Sequence, residues 1–353
     1  MPQVLVPKTG VLLVNVGSPK QPTAWQVAKY LFYFLNDYRI LRLPRVLRFL
    51  LVTLVIVPFR SFASAKKYRS IWTKDGSPLV SHSLRCKKLL QDKLGEEFDV
   101  QIALAYNPDH TATKALNQLF KHPVKKLLVV PLFPQSASAT TSSAILHVYN
   151  SLQKYWLQVP TTSLTSFYSN PFFIDAWANL IKKTLENQSI EFVLFSYHGL
   201  PVDHVRNNVP LRHESKPACG QAPDCCLQIG PSNSGCYRAQ CIATTRLIVE
   251  RLALLGVQIP HVSSFQSRLG RGEWLQPYSQ NTLIQIHQKG LRRLAVVCPS
   301  FVADCLETLE EVGIEMRETW MEMGGESFVL VPSLNTNEAW IDGLKILVEQ
   351  NAG

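Results

Sequence analysis

The chain has 353 residues, of which 46% are hydrophobic and 18% charged, a balance that excludes an intrinsically disordered protein and suits two domains. Its formal net charge of +10 favours an acidic partner, either a nucleic acid or an anionic membrane surface. The sequence contains no zinc-finger, RNA-binding or homeodomain pattern, so we expect no nucleic-acid partner.

Strand-like and helix-like runs alternate along the whole chain, which predicts parallel sheets with crossover helices. The predicted strands are Thr9–Val16, Val100–Ala105, Lys126–Leu132, a strand that opens at Leu164, Glu191–Tyr197, Pro260–Phe265, Arg293–Cys298 and Phe328–Val331. The predicted helices between them include Asp109–Lys121, Ser142–Tyr155, Pro171–Glu186, Tyr237–Leu255, Val302–Met321 and Asn335–Gln350. The fold class is therefore α/β, and the length favours two Rossmann-like domains, each a parallel sheet flanked by helices.

We place the domain boundary near Ser166–Asn170. This gives an N-terminal domain over residues 1–168, a C-terminal domain over 169–333, and a final helical segment, 334–353, that packs back on the first domain. The composition breaks once, at Val205–Gly235, which is rich in Pro, Cys, Asn and Ser. This composition is typical either of a segment that a ligand orders or of a flexible loop.

The ends of the sequence carry no targeting pattern. Met1 to Gly10 lack the charged and apolar regions of a signal peptide, and no hydrophobic tail precedes Gly353. We expect a cytoplasmic protein whose eight cysteines remain unpaired by disulfides, because reducing compartments keep thiols free.

Residues 30–60 contain an apolar run, Phe49–Phe59, flanked by arginines. The run is shorter than the ~20 residues that cross a bilayer, but it suits a surface that rests on a membrane with arginines at the headgroups. A buried core helix with solvated arginines is the alternative. The flanking arginines are Arg39, Arg42, Arg45, Arg48 and Arg60.

His198 follows the apolar run Glu191–Tyr197 and precedes Gly199 and Pro201. Ligands of open α/β sheets bind beyond the carboxyl ends of the strands, and histidine is the side chain best suited to exchange protons or ligate a metal near neutral pH. A histidine that merely packs at a strand end is the alternative.

Five cysteines lie close together in the pattern C-x5-C-C-x9-C-x4-C. Thiolates crowded in this way normally share a metal. Zinc sites usually use C-x2-C pairs, which are absent here, whereas longer spacings occur in [2Fe–2S] proteins. The cysteines are Cys219, Cys225, Cys226, Cys236 and Cys241.

Several segments together resemble the ferrochelatases, which insert ferrous iron into a porphyrin. They are Leu12–Pro19, Asp75–Leu79, Phe133–Ser138, Ser196–Pro201, Phe265–Gly270 with Trp274, and Ala303–Glu311. The resemblance extends over nearly the whole chain and implies the same two-domain arrangement.

The resemblance assigns the chemistry to His198 and Glu307. A neutral imidazole can accept a pyrrole proton or ligate iron, and carboxylates complete a ligand set that suits Fe²⁺. Glu307 follows the strand Arg293–Cys298 as His198 follows its own strand, so both are expected at one cleft. Glu311 and Glu315 follow Glu307 at i+4 and i+8, Asp304 precedes it at i−3, and on a helix these carboxylates share a face.

Like charges at this spacing repel by about a few tenths of a kcal/mol per pair, so the row suggests a compensating cation, and in the family it is read as a path for the metal. A solvated acidic face is the alternative. The proposed iron ligands are His198, Glu307, Glu311 and Glu315.

The family also implies walls for the porphyrin ring and, in some members, a [2Fe–2S] cluster. The candidate ring contacts are Tyr106, Ser136, Tyr197, Trp274 and the turn Asn15–Ser18; packing in the core is the alternative for an aromatic such as Tyr106. Relatives commonly carry Arg-Tyr where this chain has Ala105-Tyr106, which removes one expected propionate contact. We select Cys219, Cys226, Cys236 and Cys241 as cluster ligands, with Cys225 as the alternate.

The sequence therefore predicts a ferrochelatase that makes protohaem from Fe²⁺ and protoporphyrin IX and rests on the inner face of the membrane. Two alternatives remain. One is a chelatase for coproporphyrin III or another metal, and the other is a non-catalytic iron–sulfur or zinc module. A non-catalytic iron–sulfur or zinc module would not explain why His198 and Glu307 are expected at one cleft.

Overall fold

The computed structural model of the protein describes residues 6–156, 158–207, 224–231, 233–268, 270 and 272–352. The chain divides into two compact units. The first unit comprises Met1–Leu132, Ser138–Thr165 and Ile341–Gly353, and the second comprises Phe133–Ala137 and Ser166–Trp340.

The first unit contains a four-stranded parallel sheet in the order β2-β1-β3-β4. Its strands are β1 (Lys8–Asn15), β2 (Phe98–Leu104), β3 (Val124–Pro131) and β4 (Thr161–Ser163). From Thr9 to Asn15 every residue of β1 is buried, as expected for a central parallel strand covered on both faces.

The helices of the first unit include one long apolar helix, Arg45–Ile71. It consists of α2 (Arg45–Leu50), a π-helical segment (Leu51–Ile56) and α3 (Val57–Ile71). The other helices are α1 (Ala24–Leu35), α4 (Pro78–Leu94), α5 (Ala112–Leu119), a short π-helix (Ser138–Ser142) and α6 (Ser143–Leu152). Most of the last helix, α12 (Glu338–Ala352), also belongs to the first unit. Its Asp342 forms an ion pair with Lys93 of α4, with Oδ1 2.5 Å from Nζ.

The second unit repeats the same strand order as β6-β5-β7-β8, again fully parallel. Its strands are β5 (Phe192–His198), β6 (His261–Gln266), β7 (Arg293–Val297) and β8 (Ser327–Leu330). Its helices are α7 (Pro171–Leu185), α8 (Val202–Asn207), α9 (Tyr237–Leu254), α10 (Ser279–Gln288), a ten-residue π-helix (Glu307–Met316) and α11 (Arg317–Glu322).

The π-helix Glu307–Met316 is fixed by its apolar side. Val312 and Met316 are buried with Leu194 of β5 and Leu294 and Val296 of β7 in one core cluster. Of its acidic residues, Glu311 reaches the end of β6, where it accepts hydrogen bonds from Ser267. π-Helical segments are rare and occur frequently at functional sites.

The predicted α/β class and the paired parallel sheets are confirmed, whereas several element boundaries were wrong. The fourth strand is Thr161–Ser163 and ends before Leu164, where we expected it to open. The helix expected from Asp109 begins at Ala112, because the Thr111 hydroxyl accepts a hydrogen bond from Lys114 N and caps it.

The helix expected over Val302–Met321 was also wrong, both in its start and in its type. Its hydrogen-bonded turns begin only near Glu307, and its first ten residues are π-helical. Asp304 lies before the helix and accepts hydrogen bonds from Ser333 N, Asn335 Nδ2 and Thr308 Oγ1. The prediction that Asp304 shares a helical face with Glu307 is therefore wrong, since this carboxylate ties down a loop.

Candidate active site

His198 ends β5, and β5 lies between β6 and β7. The chain passes from β5 to β6 on one side and then to β7 on the other, so the strand order reverses at β5. The carboxyl ends of strands at such a reversal form the usual ligand crevice of an open α/β sheet. The structure thus places the imidazole at the position that the sheet topology favours for a ligand.

The main chain fixes which nitrogen of His198 is available. His198 Nδ1 lies 2.6 Å from Gly199 O, and because a carbonyl oxygen only accepts, Nδ1 carries the hydrogen. In the neutral ring Nε2 then keeps its lone pair. The His198 carbonyl is held in turn by Tyr237 Oη, which donates to it at 2.8 Å.

Gly199 is required by a close approach of two chain segments. Its N–H donates to Gln266 O at 2.8 Å, and a Cβ at this position would lie 2.6 Å from that oxygen and 3.4 Å from Trp274. Trp274 is half-buried and therefore packs directly beside the residue that follows His198. Of the four predicted ring contacts, it is the one that the structure places next to the imidazole.

Glu311 is the best-connected carboxylate of the acidic row. Its oxygens accept from Ser267 N at 2.7 Å and from Ser267 Oγ at 2.5 Å. Ser267 has a φ of +64°, a left-handed conformation that is uncommon for serine. The carboxylate thus holds the chain in a strained turn at the end of β6.

Three titratable groups interact at this edge. Burial raises the pKa of Glu311; the hydrogen bond from Ser267 and the charge of His198 lower it, and the charge of Glu307 raises it again. Glu311 is therefore an electrostatic neighbour of both His198 and Glu307, and Gln266 Nε2 lies 3.0 Å from Glu307 O and 3.5 Å from Glu311 Oε2.

Glu315 is exposed and lines a cavity of about 300 Å³ together with Glu311, Ser267 and Arg268. In the described part of the chain, no group of three or more His, Cys, Asp or Glu side chains is already arranged to hold a metal ion.

Comparison with known proteins decides the family. The ferrochelatase family model matches residues 8–352. A ferrochelatase of Bdellovibrio bacteriovorus is 41% identical over 343 residues, which cover 97% of this chain and 99% of the relative. The chain belongs to the ferrochelatase family. Ferrochelatases of Coxiella burnetii and Legionella pneumophila are each 38% identical, over 98% and 97% of this chain and 94% and 99% of their own lengths.

Solved structures agree at the level of the fold. SirB from Bacillus subtilis, determined with Fe³⁺, superimposes with a TM-score of 0.53 at 10% identity, covering 98% of this chain and 96% of that one. Ferrochelatases are lyases that insert a metal into a porphyrin, so a porphyrin and ferrous iron are the substrates of this family member.

The other ring contacts that we predicted lie in different surroundings. Tyr197 is completely buried, with its hydroxyl 2.8 Å from Thr245 Oγ1, which favours a supporting role over direct contact with a ring. Ser136 is half-buried, and its N–H donates to Gln240 Oε1 at 2.6 Å. The turn Asn15–Ser18 ends β1 of the first unit, where Val16 N donates to Asn15 Oδ1 at 2.8 Å.

Tyr106 belongs to a buried polar cluster of the first unit. Its hydroxyl donates to Asp37 Oδ2 at 2.7 Å, the Ser143 hydroxyl bonds to the same oxygen, and His147 Nε2 lies 3.6 Å from it. Burial opposes ionisation of Asp37, but these hydrogen bonds hold its pKa well below the ordinary value. Asp37 escaped the sequence analysis because nothing in its local pattern marks it.

Three of the five clustered cysteines are buried near one another. Cys226, Cys236 and Cys241 are each at most 3% exposed, and Cys225 Sγ lies 3.4 Å from Cys226 Sγ. Burial raises the pKa of Cys241, and the charges of Cys236 and Cys226 raise it further. Cys219 lies outside the described residues.

Gln266 is a residue of the candidate site that the sequence analysis did not single out. Its Oε1 accepts from Ser196 Oγ at 2.6 Å, and its Nε2 donates to Glu307 O at 3.0 Å. This amide therefore joins β5, β6 and the first turn of the π-helix. The motif Phe265–Gly270 contained the signal, because a glutamine in a buried strand must find polar partners.

The apolar segment forms a longer helix than we predicted. Arg45–Ile71 has 27 residues, and its most apolar 18-residue window has a mean hydropathy of 1.9 with only 17% of the window buried. By length and composition alone it could cross a membrane, although a single helix of this kind is weak evidence for a span. The low burial argues against the alternative of a buried core helix.

Proposed function

We propose that the protein makes protohaem from Fe²⁺ and protoporphyrin IX, with His198 and Glu307 at the reacting atoms. The placement of His198 at the carboxyl end of β5, beside Gln266 and Ser267 of the β6 end that hold Glu307 O and the Glu311 carboxylate, carries this proposal. It supplies a ring nitrogen that can accept a proton and carboxylates that suit a divalent cation.

Each metallation releases two pyrrole protons for the one Fe²⁺ that enters. His198 Nε2 takes one of these protons, since its lone pair remains free while Nδ1 donates to Gly199 O, and the other passes to solvent water. Glu307 and Glu311 offset the charge of the entering iron, and Glu315 receives it at the outer end of the row. Trp274 supplies the aromatic wall beside the imidazole.

The choice of porphyrin follows from the polar and apolar groups that recognise it. Protoporphyrin IX has two propionates and two vinyl groups, whereas coproporphyrin III has four propionates and needs more cationic partners. Ala105 provides no such partner beside Tyr106, and the exposed apolar helix suits a poorly soluble substrate. We expect a higher kcat/KM for protoporphyrin IX in anaerobic assays with Fe²⁺, and the reverse order would contradict this assignment.

We further propose a [2Fe–2S] cluster held by Cys219, Cys226, Cys236 and Cys241, with Cys225 as the alternate ligand. The burial of Cys226, Cys236 and Cys241, whose charges act on one another, supports it, because a bound metal deprotonates thiols in spite of burial; without Cys219, the described cysteines do not by themselves form a metal-binding group. We expect about two iron and two labile sulfide per chain and the loss of both in Cys236→Ser. Stoichiometric zinc without sulfide would replace the cluster with a structural zinc site.

Finally, we propose that the protein is cytoplasmic and associates peripherally with the inner face of the membrane through the apolar helix. The exposed side chains Leu54, Phe59 and Phe62, each at least 65% exposed, and the basic flanks of the helix support this. Sedimentation with anionic liposomes should occur at low salt and weaken as salt rises. Absence of binding at any salt concentration would refute the membrane contact.

A further inference from the structure

A concave site opens on the first unit at the start of the apolar helix. Its volume is about 490 Å³. Two arginines, one amide and three apolar side chains line it: Arg45, Arg48, Asn36, Phe32, Val46 and Phe49. Cationic groups beside exposed apolar walls are the composition that an amphiphilic anion requires.

Arg48 is the unusual member of this site. Its side chain is only 8% exposed although it lies in an apolar helix. One terminal nitrogen donates to Leu43 O at 2.8 Å, and the guanidinium stacks over Tyr38 at 5.6 Å. Its Nε–H is buried and, within the part of the chain that the structure describes, has no hydrogen-bond partner. A buried donor on a charged group costs free energy if it stays unsatisfied, so this group points to an anionic ligand.

The chain segment that supplies most of the lining is basic, and its one acidic neighbour is Asp37, which directly follows the lining residue Asn36. Between Asp37 and Asp75 the sequence has nine lysines and arginines and no acidic residue. Arg45 is exposed at the rim, while Val46 is 71% and Phe49 48% exposed. Positive charge at the bottom of the site and bare apolar groups at its rim match a phosphate headgroup that continues into an acyl chain.

We propose that this concavity is a specific site for the phosphodiester headgroup of an anionic phospholipid, which Arg48 and Arg45 bind while Phe32 and Phe49 contact the first part of the acyl chain. The inference rests on the membrane association proposed above and adds to it a discrete site. Planar guanidinium groups bind phosphate through paired donors, and a lysine ammonium does not reproduce that geometry.

The test compares variants of the full chain on vesicles of phosphatidylcholine with phosphatidylglycerol. Arg60→Ala is the matched control, since it removes one exposed positive charge from the same helix outside the site and should weaken binding by about fivefold. Arg48→Ala and Arg45→Ala should each weaken it by about tenfold more than the control. Arg48→Lys should resemble Arg48→Ala despite keeping the charge.

A second set of vesicles carries oleate in place of phosphatidylglycerol at the same surface potential. The unmodified protein should prefer the phosphate vesicles, and the preference should vanish in Arg45→Ala, whose exposed side chain can be removed without disturbing the core. Inorganic phosphate at millimolar concentration should not compete, because it lacks the acyl chain; effective competition would assign the site to a free phosphate instead.

Two outcomes separate the two proposals. If the unmodified protein binds neither kind of vesicle, the membrane association and the lipid site both fail. If it binds, but Arg45→Ala and Arg48→Ala weaken binding no more than Arg60→Ala, the association stands and the specific site is refuted. Circular dichroism of each variant confirms that the comparison is between folded proteins.

Discussion

Two main-chain contacts at Gly199 determine how the imidazole of His198 is presented. The Gly199 carbonyl accepts from Nδ1, and the Gly199 N–H donates to Gln266 O on the neighbouring strand. The imidazole of His198 is therefore oriented by the backbone.

His198→Ala should leave a folded protein that binds porphyrin but metallates it poorly. Loss of a positioned proton acceptor lowers rates by about 10²- to 10⁴-fold. Anaerobic assays of haem formation measure this loss, and quenching of porphyrin fluorescence measures binding. Near-normal turnover would remove His198 from the mechanism.

Gly199→Ala tests the orienting contact. The new methyl group would lie 2.6 Å from Gln266 O, so one strand end must shift, at a cost of about 1–3 kcal/mol in the free energy of unfolding. The shift also displaces Nε2, so kcat should fall. Gly272→Ala is the control, because its methyl group would meet only Trp274 Nε1 at 3.9 Å. Equal effects of the two substitutions would show that the close approach is unimportant.

At the scale of elements, the sequence predicted which strands and helices exist better than it predicted the residues at which they begin and end. The apolar runs of the central strands were sufficient to identify them, because buried parallel strands are apolar on both faces. The π-helix Glu307–Met316 escaped prediction, since no local propensity distinguishes it from an α-helix. Its form depends on packing against β5 and β7, which is tertiary information.

Joint replacement of Glu311 and Glu315 by Gln tests whether the acidic row conducts iron. The KM for Fe²⁺ should rise more than the KM for porphyrin, because the carboxylates attract the cation before it reaches His198. Glu318→Gln in α11 removes an exposed carboxylate just beyond the row and serves as the control. Unchanged metal kinetics would leave only a solvated acidic face.

The pH dependence of stability tests the burial of Glu311. Burial raises its pKa above the ordinary value, so the folded state disfavours the charged form. Burying the charged carboxylate costs free energy of unfolding only when Glu311 is ionised. The cost is therefore absent below the glutamate pKa of the unfolded chain and complete above the raised pKa of the folded protein. The contribution of Glu311 to stability falls as the pH rises between these two pKa values. Urea unfolding should show Glu311→Gln gaining stability relative to the parent protein as the pH rises from below the ordinary glutamate pKa through the raised pKa of Glu311. A constant difference would contradict the burial effect.

At the scale of the whole molecule, the two sheets share one strand order, and this repetition explains how far sequence reasoning reached. His198 and Glu307 were predicted together because each follows a strand, and β5 and β7 are indeed adjacent. The roles of Gln266 and Asp37 were not predicted, because these residues form hydrogen bonds with residues 41 to 106 positions away in the sequence. Contacts of such separation depend on the complete topology and leave no local pattern.

The net charge of +10 leads to a prediction about rates. The electrostatic field of the whole protein raises the rate of association with an anionic membrane surface. Contacts at the apolar helix determine the rate of dissociation from that surface. Replacing the exposed Lys88, Lys121 and Lys125 by Gln reduces the net charge from +10 to +7 without altering that helix. Stopped-flow mixing with anionic vesicles at low salt should then show slower association, and competitor vesicles should show unchanged dissociation. Arg45→Ala should instead accelerate dissociation, because it removes a contact made only after docking. Faster dissociation of the lysine variant would mean that the docked face extends well beyond the apolar helix.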